Sequence, residues 1–216
     1  MKRIPKESIT NAVLITAAAV IFTIVVAAVD VQPVGVEGTN LGLASINTGF
    51  FNRFGQNDTF LKISKVAGYI CFGTAFGFGC FFLYQLFKRK SLKKVDRNLT
   101  LLIMLYILTL SLYLLFDKVL IINYRPVLLG KGPEPSYPST HTMIAWVVMI
   151  SAIDQWNIYI KDQKLLTAAT ALSFLVLLVV IVTRLLSGMH WLTDVVGGVL
   201  FGDVLIAWYR YAASRK

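Results

Sequence analysis

The chain contains two histidines, and each lies in a short polar motif at the edge of an apolar segment. Imidazole can act as an acid, a base or a nucleophile near neutral pH, and arginine and lysine can hold oxyanions. Histidines surrounded by cations therefore point to the transfer of a proton or a phosphoryl group. The candidate residues form three motifs along the chain: Lys118-x6-Arg125-Pro126, Pro138-Ser139-Thr140-His141 and Arg184-x5-His190-x3-Asp194.

The first motif places two cations seven residues apart, which on a helix is close to two turns. We therefore expect Lys118 and Arg125 to project from nearly the same helix face, about 10 Å apart, before Pro126 ends that helix. Such a pair can hold a polyanion, with the guanidinium meeting phosphate oxygens two at a time and the lysine acting as a point charge. Two cations snorkelling to a membrane interface are the alternative.

The second motif follows a loop rich in glycine and proline, residues 130–137. Pro138 suits the first turn of a helix, so a helix is predicted to begin here. Its unpaired backbone N–H groups near Ser139 and Thr140 would then point at an anion. His141 would stand beside that anion as a proton donor. A histidine that merely lies at the interface is the alternative.

The third motif spaces His190 and Asp194 four residues apart, which predicts both on one helix face. The carboxylate can then accept a hydrogen bond from one ring nitrogen and leave the other free as a base or a nucleophile. The same spacing suits metal ligands, so a metal site is the rival interpretation. Three nearby cations, Lys118, Arg125 and Arg184, would repel a metal ion, and we therefore expect no metal here.

These motifs must be positioned by apolar helices, because 56% of the 216 residues are hydrophobic and the mean hydropathy is +0.69. Six stretches approach the roughly 20 apolar residues that a bilayer requires. They cover residues 10–30, 63–87, 99–122, 139–157, 165–187 and 191–210. Without internal repeats or a long linker, the prediction is a single all-α domain over residues 1–216, an integral membrane bundle of six transmembrane helices.

The net charge of +10 is sorted by loop. Most lysines and arginines precede the first stretch, fill the connection 88–97, or lie near the fourth connection and the C-terminus. By the positive-inside rule, both termini are then cytoplasmic and the three motifs open on the outer face of the membrane. A nucleic-acid partner is not expected, because the basic run is short and lacks interleaved aromatic residues.

Two further patterns concern how the helices are covered and packed. The first connection contains a mixed aromatic and polar segment, residues 41–54, which suits a helix lying at the interface that either covers the bundle or admits lipid from the side. Gly73-x3-Gly77 and Gly198-x3-Gly202 are small-residue spacings that predict close helix packing.

The arrangement K-x6-RP, PS-x-H, R-x5-H-x3-D resembles the three signature motifs of the phosphatidic acid phosphatase type 2 superfamily. Its members include membrane lipid phosphatases, bacterial undecaprenyl diphosphate phosphatases, glucose-6-phosphatases and soluble vanadium haloperoxidases. Thr140 stands where glycine is usual and Thr183 where serine is usual, and neither change removes a group that the chemistry needs. Six apolar stretches exclude a soluble haloperoxidase.

The resemblance implies that His190 attacks phosphorus to give a phosphohistidine, that Asp194 orients it and that His141 protonates the leaving oxygen. Water then releases phosphate, without a cofactor or metal. Because His190 must be neutral and His141 protonated, a bell-shaped pH profile is expected. The resemblance also implies that the phosphoryl oxygens are held by groups of five residues: Lys118, Arg125, Ser139, Thr140 and Arg184.

The sequence therefore predicts a membrane phosphatase that hydrolyses a lipid phosphate monoester or diphosphate at the outer face of a cytoplasmic membrane. An undecaprenyl diphosphate phosphatase and a phosphotransferase between lipids are alternatives, since the motifs do not read the leaving group. A protein that binds or flips a lipid phosphate is the alternative outside enzymes. Binding alone would need the cations but neither His141 nor His190. The motifs leave the lipid headgroup and the oligomeric state open.

Overall fold

The computed structural model describes residues 4–128, 130 and 132–215. Seven α-helices follow one another: α1 Ile9–Ala28, α2 Ala44–Phe54, α3 Asp58–Arg89, α4 Arg97–Lys118, α5 Thr140–Tyr159, α6 Gln163–Leu186 and α7 Leu192–Ser214. Two short 3-10 turns cover Val36–Gly38 and Leu92–Lys94. The described residues contain two isolated β-bridges and no β-strand. The predicted all-α class is confirmed.

The six predicted apolar stretches correspond to α1 and α3 to α7, with differences at the ends. The largest difference is at α3, which begins at Asp58 because the Asn57 side chain accepts hydrogen bonds from the N–H groups of Thr59 and Phe60 at 3.0 and 3.2 Å. The helix α2 lies within the segment predicted at the interface.

In the described part of the chain, five helices are long and apolar enough to cross a membrane: α1, α3, α4, α6 and α7. They indicate a multi-pass membrane protein, and large side chains such as Phe76 and Phe87 project outward from α3. The helix α5 is more polar, with Asp154 and Gln155 buried along it. It packs against α3, α4, α6 and α7. Because α5 is surrounded by protein, its polar residues find partners within the bundle.

Close helix packing at glycine occurs in α7 but not in α3. A Cβ atom at Gly198 would lie 2.7 Å from the Ser139 carbonyl oxygen, and one at Gly202 would lie 2.8 Å from the Trp146 side chain. These contacts confirm the prediction for α7, which packs directly on α5. A Cβ atom at Gly73 or Gly77 would meet no described atom of another element within 4 Å. The prediction is wrong there, because α3 packs through its other face.

Three connections meet at one end of the bundle, which we call the motif end: residues 29–57, the described residues of the connection between α4 and α5 (119–128, 130 and 132–139), and residues 187–191. Backbone hydrogen bonds join them, from Asn57 N to Ser187 O at 3.3 Å and from Ser139 N to Asp194 O at 2.8 Å. The connections 90–96 and 160–162 lie at the opposite end. The fold therefore brings all three sequence motifs to one end of the bundle.

Candidate active site

The first motif is divided between a helix end and an irregular segment. The helix α4 ends at Lys118, and Arg125 lies beside the isolated bridge between Tyr124 and Pro135. The expectation of one helix face for both cations is wrong. The residue before a proline is disfavoured in a helix, and β-branched residues between the two cations weaken the helix further.

Lys118 stands apart from the other motif residues. Its Nζ lies 2.8 Å from Asp117 Oδ2, and 72% of its side chain is exposed. Asp117 lines the same small cavity as Arg125 and His190, whereas Lys118 does not.

Arg125 turns its guanidinium group onto His190. Its Nη1 lies 3.3 Å from His190 Nε2 and donates to the Met189 carbonyl oxygen at 3.2 Å. Its Nε lies 3.2 Å from Glu134 Oε2, an ion-pair distance without hydrogen-bond geometry. The guanidinium therefore sits directly beside the ring nitrogen that would meet a substrate.

His190 lies between α6 and α7 rather than on a helix, which corrects the expectation of one helix face for His190 and Asp194. Its Nδ1 lies 3.2 Å from the Ser136 carbonyl oxygen and 3.6 Å from Asp194 Oδ2. A carbonyl oxygen can only accept, so we assign the proton of the neutral ring to Nδ1. Nε2 then keeps its lone pair, beside the Arg125 guanidinium.

Burial lowers the pKa of His190 to about 4. The Asp194 carboxylate opposes this shift, while Arg125 and Arg184 favour it. The lowered pKa leaves the imidazole neutral at the pH of most cells, which is the form that a nucleophile requires.

Asp194 is fully buried and ties the second and third motifs together. Its Oδ2 accepts from Trp191 N–H at 3.0 Å, and its Oδ1 accepts from Asn123 Nδ2 at 3.3 Å. Its backbone carbonyl oxygen accepts from Ser139 N–H at 2.8 Å. The carboxylate thus caps the start of α7 while it faces His190.

The second motif begins a helix as predicted, with Ser139 as the residue before α5. The Ser139 N–H is already used by Asp194, and its Oγ accepts from Thr142 Oγ1 at 3.1 Å. Ser139 lines neither of the two cavities that meet at this helix start. The first-turn N–H groups that remain without a helical acceptor belong to Thr140, His141 and Thr142.

Two neighbouring cavities meet at this helix start. The first, of about 30 Å³, is lined in part by Arg125, His190 and Thr140. The second, of about 210 Å³, lies between α3, α4 and α5, is mostly apolar, and is lined in part by His141 and Thr140. His141 and His190 therefore face different cavities that share Thr140.

Arg184 supplies a buried cation on the last turn of α6. Its residue is only 3% exposed, and its Nε has no hydrogen-bond partner among the described residues. Ser136 Oγ is likewise buried without a described partner. A buried unpaired cation is costly, and an anion bound beside it would offset that cost.

Comparisons with known proteins agree with the motifs. Residues 116–216 match the family model described as the PAP2 superfamily. The predicted resemblance to this superfamily is confirmed. The PAP2 match contains all three motifs and begins near the end of α4. No curated protein matches the chain in sequence.

A solved PAP2 structure is similar over nearly the whole chain. It is a transmembrane PAP2-type phosphatidylglycerolphosphate phosphatase from Bacillus subtilis, with a TM-score of 0.53 and 16% sequence identity. The alignment covers 92% of this chain and 93% of that chain. The likeness shows a common fold that extends beyond the matched PAP2 region to the N-terminal helices.

Two groups beside the PAP2 motifs were missed by sequence reasoning. The Ser136 carbonyl oxygen faces His190 Nδ1, and Asn123 donates to Asp194. A backbone carbonyl cannot be recognised from residue type, and Asn123 occupies one of the six positions between Lys118 and Arg125 that the motif leaves unspecified. Both become visible only when the connections meet at the motif end.

Proposed function

We propose that the chain is a membrane phosphatase that removes phosphate from a lipid phosphate through a phosphohistidine on His190. The supporting observation is the state of this imidazole: it is buried, its Nδ1 faces the Ser136 carbonyl oxygen, and its Nε2 lies 3.3 Å from Arg125. This arrangement directs a nucleophilic lone pair toward a place where a cation can hold phosphate.

The reaction follows from these positions. Arg125, Arg184 and the N–H groups near Thr140 hold the phosphoryl oxygens, and His190 Nε2 forms a bond to phosphorus as the bond to the leaving oxygen breaks. The positive charge that develops on the ring is stabilised by Asp194 and by the Nδ1 contact with Ser136 O.

His141 supplies the proton to the leaving oxygen. Water then attacks phosphorus and passes a proton to His141 as the bond between His190 Nε2 and phosphorus breaks. Phosphate departs, and His190 is left in its neutral form. Each step uses side chains of the chain itself, without a metal or a cofactor.

A lipid substrate is supported by the cavity that contains His141. Its lining is mainly apolar and lies between membrane helices, next to Thr140. A leaving group with a hydrocarbon chain fits such a surface, while its phosphate reaches the cationic site. The phosphatidylglycerolphosphate activity named for the similar structure supports a phospholipid over an isoprenoid diphosphate.

We also propose that α5 is the sixth transmembrane helix, that both termini are cytoplasmic and that the site opens on the outer face. The exposed cations Lys88, Lys90, Lys93 and Lys94 all lie at the end opposite the motifs, which agrees with the positive-inside rule.

Cysteine labelling tests this orientation. In a background without Cys71 and Cys80, we expect an impermeant maleimide to label Asn40→Cys in intact cells and Lys93→Cys only after lysis. The reverse pattern would place the site inside the cell.

The decisive experiment measures phosphate release by purified protein in detergent with excess EDTA. Phosphatidic acid, phosphatidylglycerol phosphate and undecaprenyl diphosphate are compared, with His190→Ala as control. We expect release that survives chelation and disappears in the variant, together with an acid-labile phosphorylated protein after a rapid quench. No release from any lipid would contradict hydrolysis and favour phosphotransfer or lipid binding.

A further inference from the structure

Asn123 is fully buried and joins three segments around the reacting histidine. Its Nδ2 lies 3.3 Å from Asp194 Oδ1, and its Oδ1 accepts from Gly42 N–H at 3.2 Å. Its backbone carbonyl oxygen accepts from Ser136 N–H at 2.9 Å. A single residue thus contacts the first connection, the loop that precedes the second motif, and the third motif.

The orientation of the Asn123 amide is set by its partners. The Gly42 N–H can only donate, so it takes the amide oxygen, and the NH₂ group must face the carboxylate of Asp194. Gly42 has little freedom to move, because a Cβ atom there would lie 1.5 Å from the Val26 carbonyl oxygen. Its backbone is therefore packed directly on the end of α1, and Asn123 is held as a donor to Asp194.

Both groups that face His190 Nδ1 are connected to Asn123. The Ser136 carbonyl oxygen, 3.2 Å away, belongs to the residue whose N–H binds the Asn123 backbone. The Asp194 carboxylate, with Oδ2 3.6 Å away, binds the Asn123 side chain. Asn123 makes no hydrogen bond to the imidazole and lines neither of the two cavities at the start of α5, so its effect on His190 passes through these two groups.

We propose that Asn123 is a positioning residue of the reaction. It holds the Asp194 carboxylate and the Ser136 carbonyl in the orientation that keeps the proton on His190 Nδ1 and leaves Nε2 free to attack phosphorus. The inference rests on the proposed function, because it presupposes attack by His190. It extends that function to one of the six unspecified positions of the first motif.

The test compares Asn123→Asp with the matched variant Asn47→Asp. Asn47 is also fully buried and binds the N-terminus of α7, with its Nδ2 3.0 Å from Thr193 Oγ1 and its Oδ1 accepting from Thr193 N–H at 3.2 Å. Its Nδ2 also donates to the Gly42 carbonyl oxygen at 2.8 Å, but the structure gives it no hydrogen bond with Asp194, His190 or Asn123 itself. Both variants exchange a buried amide for a carboxyl group of the same shape at the motif end.

For Asn123→Asp we expect kcat to fall about 10- to 100-fold with KM nearly unchanged, as for loss of a hydrogen bond to a charged group. For Asn47→Asp we expect a lower melting temperature and a kcat per folded molecule within about threefold of the wild type, since no bond to the reacting pair is lost. Phosphate release and thermal unfolding in detergent give both readouts.

A pH series separates positioning from a merely structural role. Two neighbouring carboxyl groups cannot both ionise without cost, so the group introduced by Asn123→Asp binds a proton more readily and can then donate to Asp194 as the amide did. The activity of Asn123→Asp relative to the wild type should therefore rise as the pH falls. No such recovery is expected for Asn47→Asp. If Asn123→Asp does not fold, Asn123→Ser replaces it, with the same kcat loss expected but no pH recovery.

Equal losses of kcat and melting temperature in the two variants, or an unchanged kcat in Asn123→Asp, would overturn the inference. Failure of the wild type to release phosphate would instead contradict the proposed function. In that case nitrogen-15 spectra of labelled histidine, in a His141→Gln background, still test the positioning. We expect a proton on His190 Nδ1 in the presence of Asn123 and a mixture of tautomers in Asn123→Ser, whereas identical spectra would overturn it.

Discussion

The two ends of the bundle both contain buried polar residues, but they differ in how completely these residues are paired. At the motif end, Arg184 Nε and Ser136 Oγ have no hydrogen-bond partner among the described residues. At the opposite end, Arg210 donates two hydrogen bonds to the Asp154 carboxylate, at 2.8 and 2.9 Å. Among the described residues, the motif end holds a buried cation without an ion-pair partner, and the opposite end holds a cation paired with a buried carboxylate.

Pairing at the opposite end continues from helix to helix. Gln155 on α5 donates to Tyr209 OH on α7 at 2.6 Å and accepts from Asn98 on α4 at 2.6 Å. Asp96, just before α4, accepts from Gln85 on α3 at 2.8 Å and from Tyr159 on α5 at 2.9 Å. Such a satisfied network stabilises the helix arrangement, whereas Arg184, a buried cation whose Nε has no partner among the described residues, is suited to binding an anion.

Removing the unpaired cation of Arg184 tests the difference between the two ends most directly. We expect Arg184→Gln to lower kcat/KM about 10³-fold, the loss typical of one oxyanion-stabilising donor. Its melting temperature should not fall, because the variant removes a buried charge without a protein partner. Phosphate release and thermal unfolding in detergent measure both. A large loss of stability with little loss of activity would show that Arg184 serves the fold.

The matching change at the opposite end should have the reverse effect. Asp154→Asn leaves Arg210 without its carboxylate, and breaking a buried ion pair costs about 3 to 5 kcal/mol of stability. Activity per folded molecule should remain unchanged. Arg89→Gln is the control, because the Arg89–Asp96 pair is partly exposed and such pairs contribute less than about 1 kcal/mol. Equal melting temperatures for Asp154→Asn and Arg89→Gln would contradict a stabilising network.

The sequence predicts the helices and the types of the site residues, but not the geometry of the irregular segments at the motif end. Hydropathy predicts the positions of the helices, because membrane spans require about 20 consecutive apolar residues. The residue types in the motifs indicate phosphate chemistry. Helical spacing fails at Arg125 and His190, since both lie in irregular segments where i, i+4 and i, i+7 geometry does not apply. Contacts made by the Ser136 carbonyl and Asn123 depend on how distant connections meet, and no local pattern contains that information.

A smaller effect concerns the pH dependence of the motif end. Burial lowers the pKa of His190 to about 4, and protonation of this ring sets the acid limb of the kcat/KM profile. The acid limb should therefore be flat above pH 5 and fall about tenfold per pH unit well below pH 4, where the ring becomes protonated. Arg125 also lowers this pKa, so Arg125→Gln should move the acid limb to higher pH. A limb that stays in place would show that the guanidinium does not act on His190.

The smallest effect is expected at Lys118, although it lies in a motif. Its side chain is 72% exposed and paired with Asp117 at 2.8 Å, so its charge is screened by water and partly neutralised. We expect Lys118→Ala to lower kcat/KM by less than about tenfold, through KM, well below the effect of Arg184→Gln. Kinetics of the two variants on the same lipid test this order. Equal losses would mean that Lys118 leaves Asp117 when substrate binds, so that the motif end uses a cation that the unliganded bundle holds at its surface.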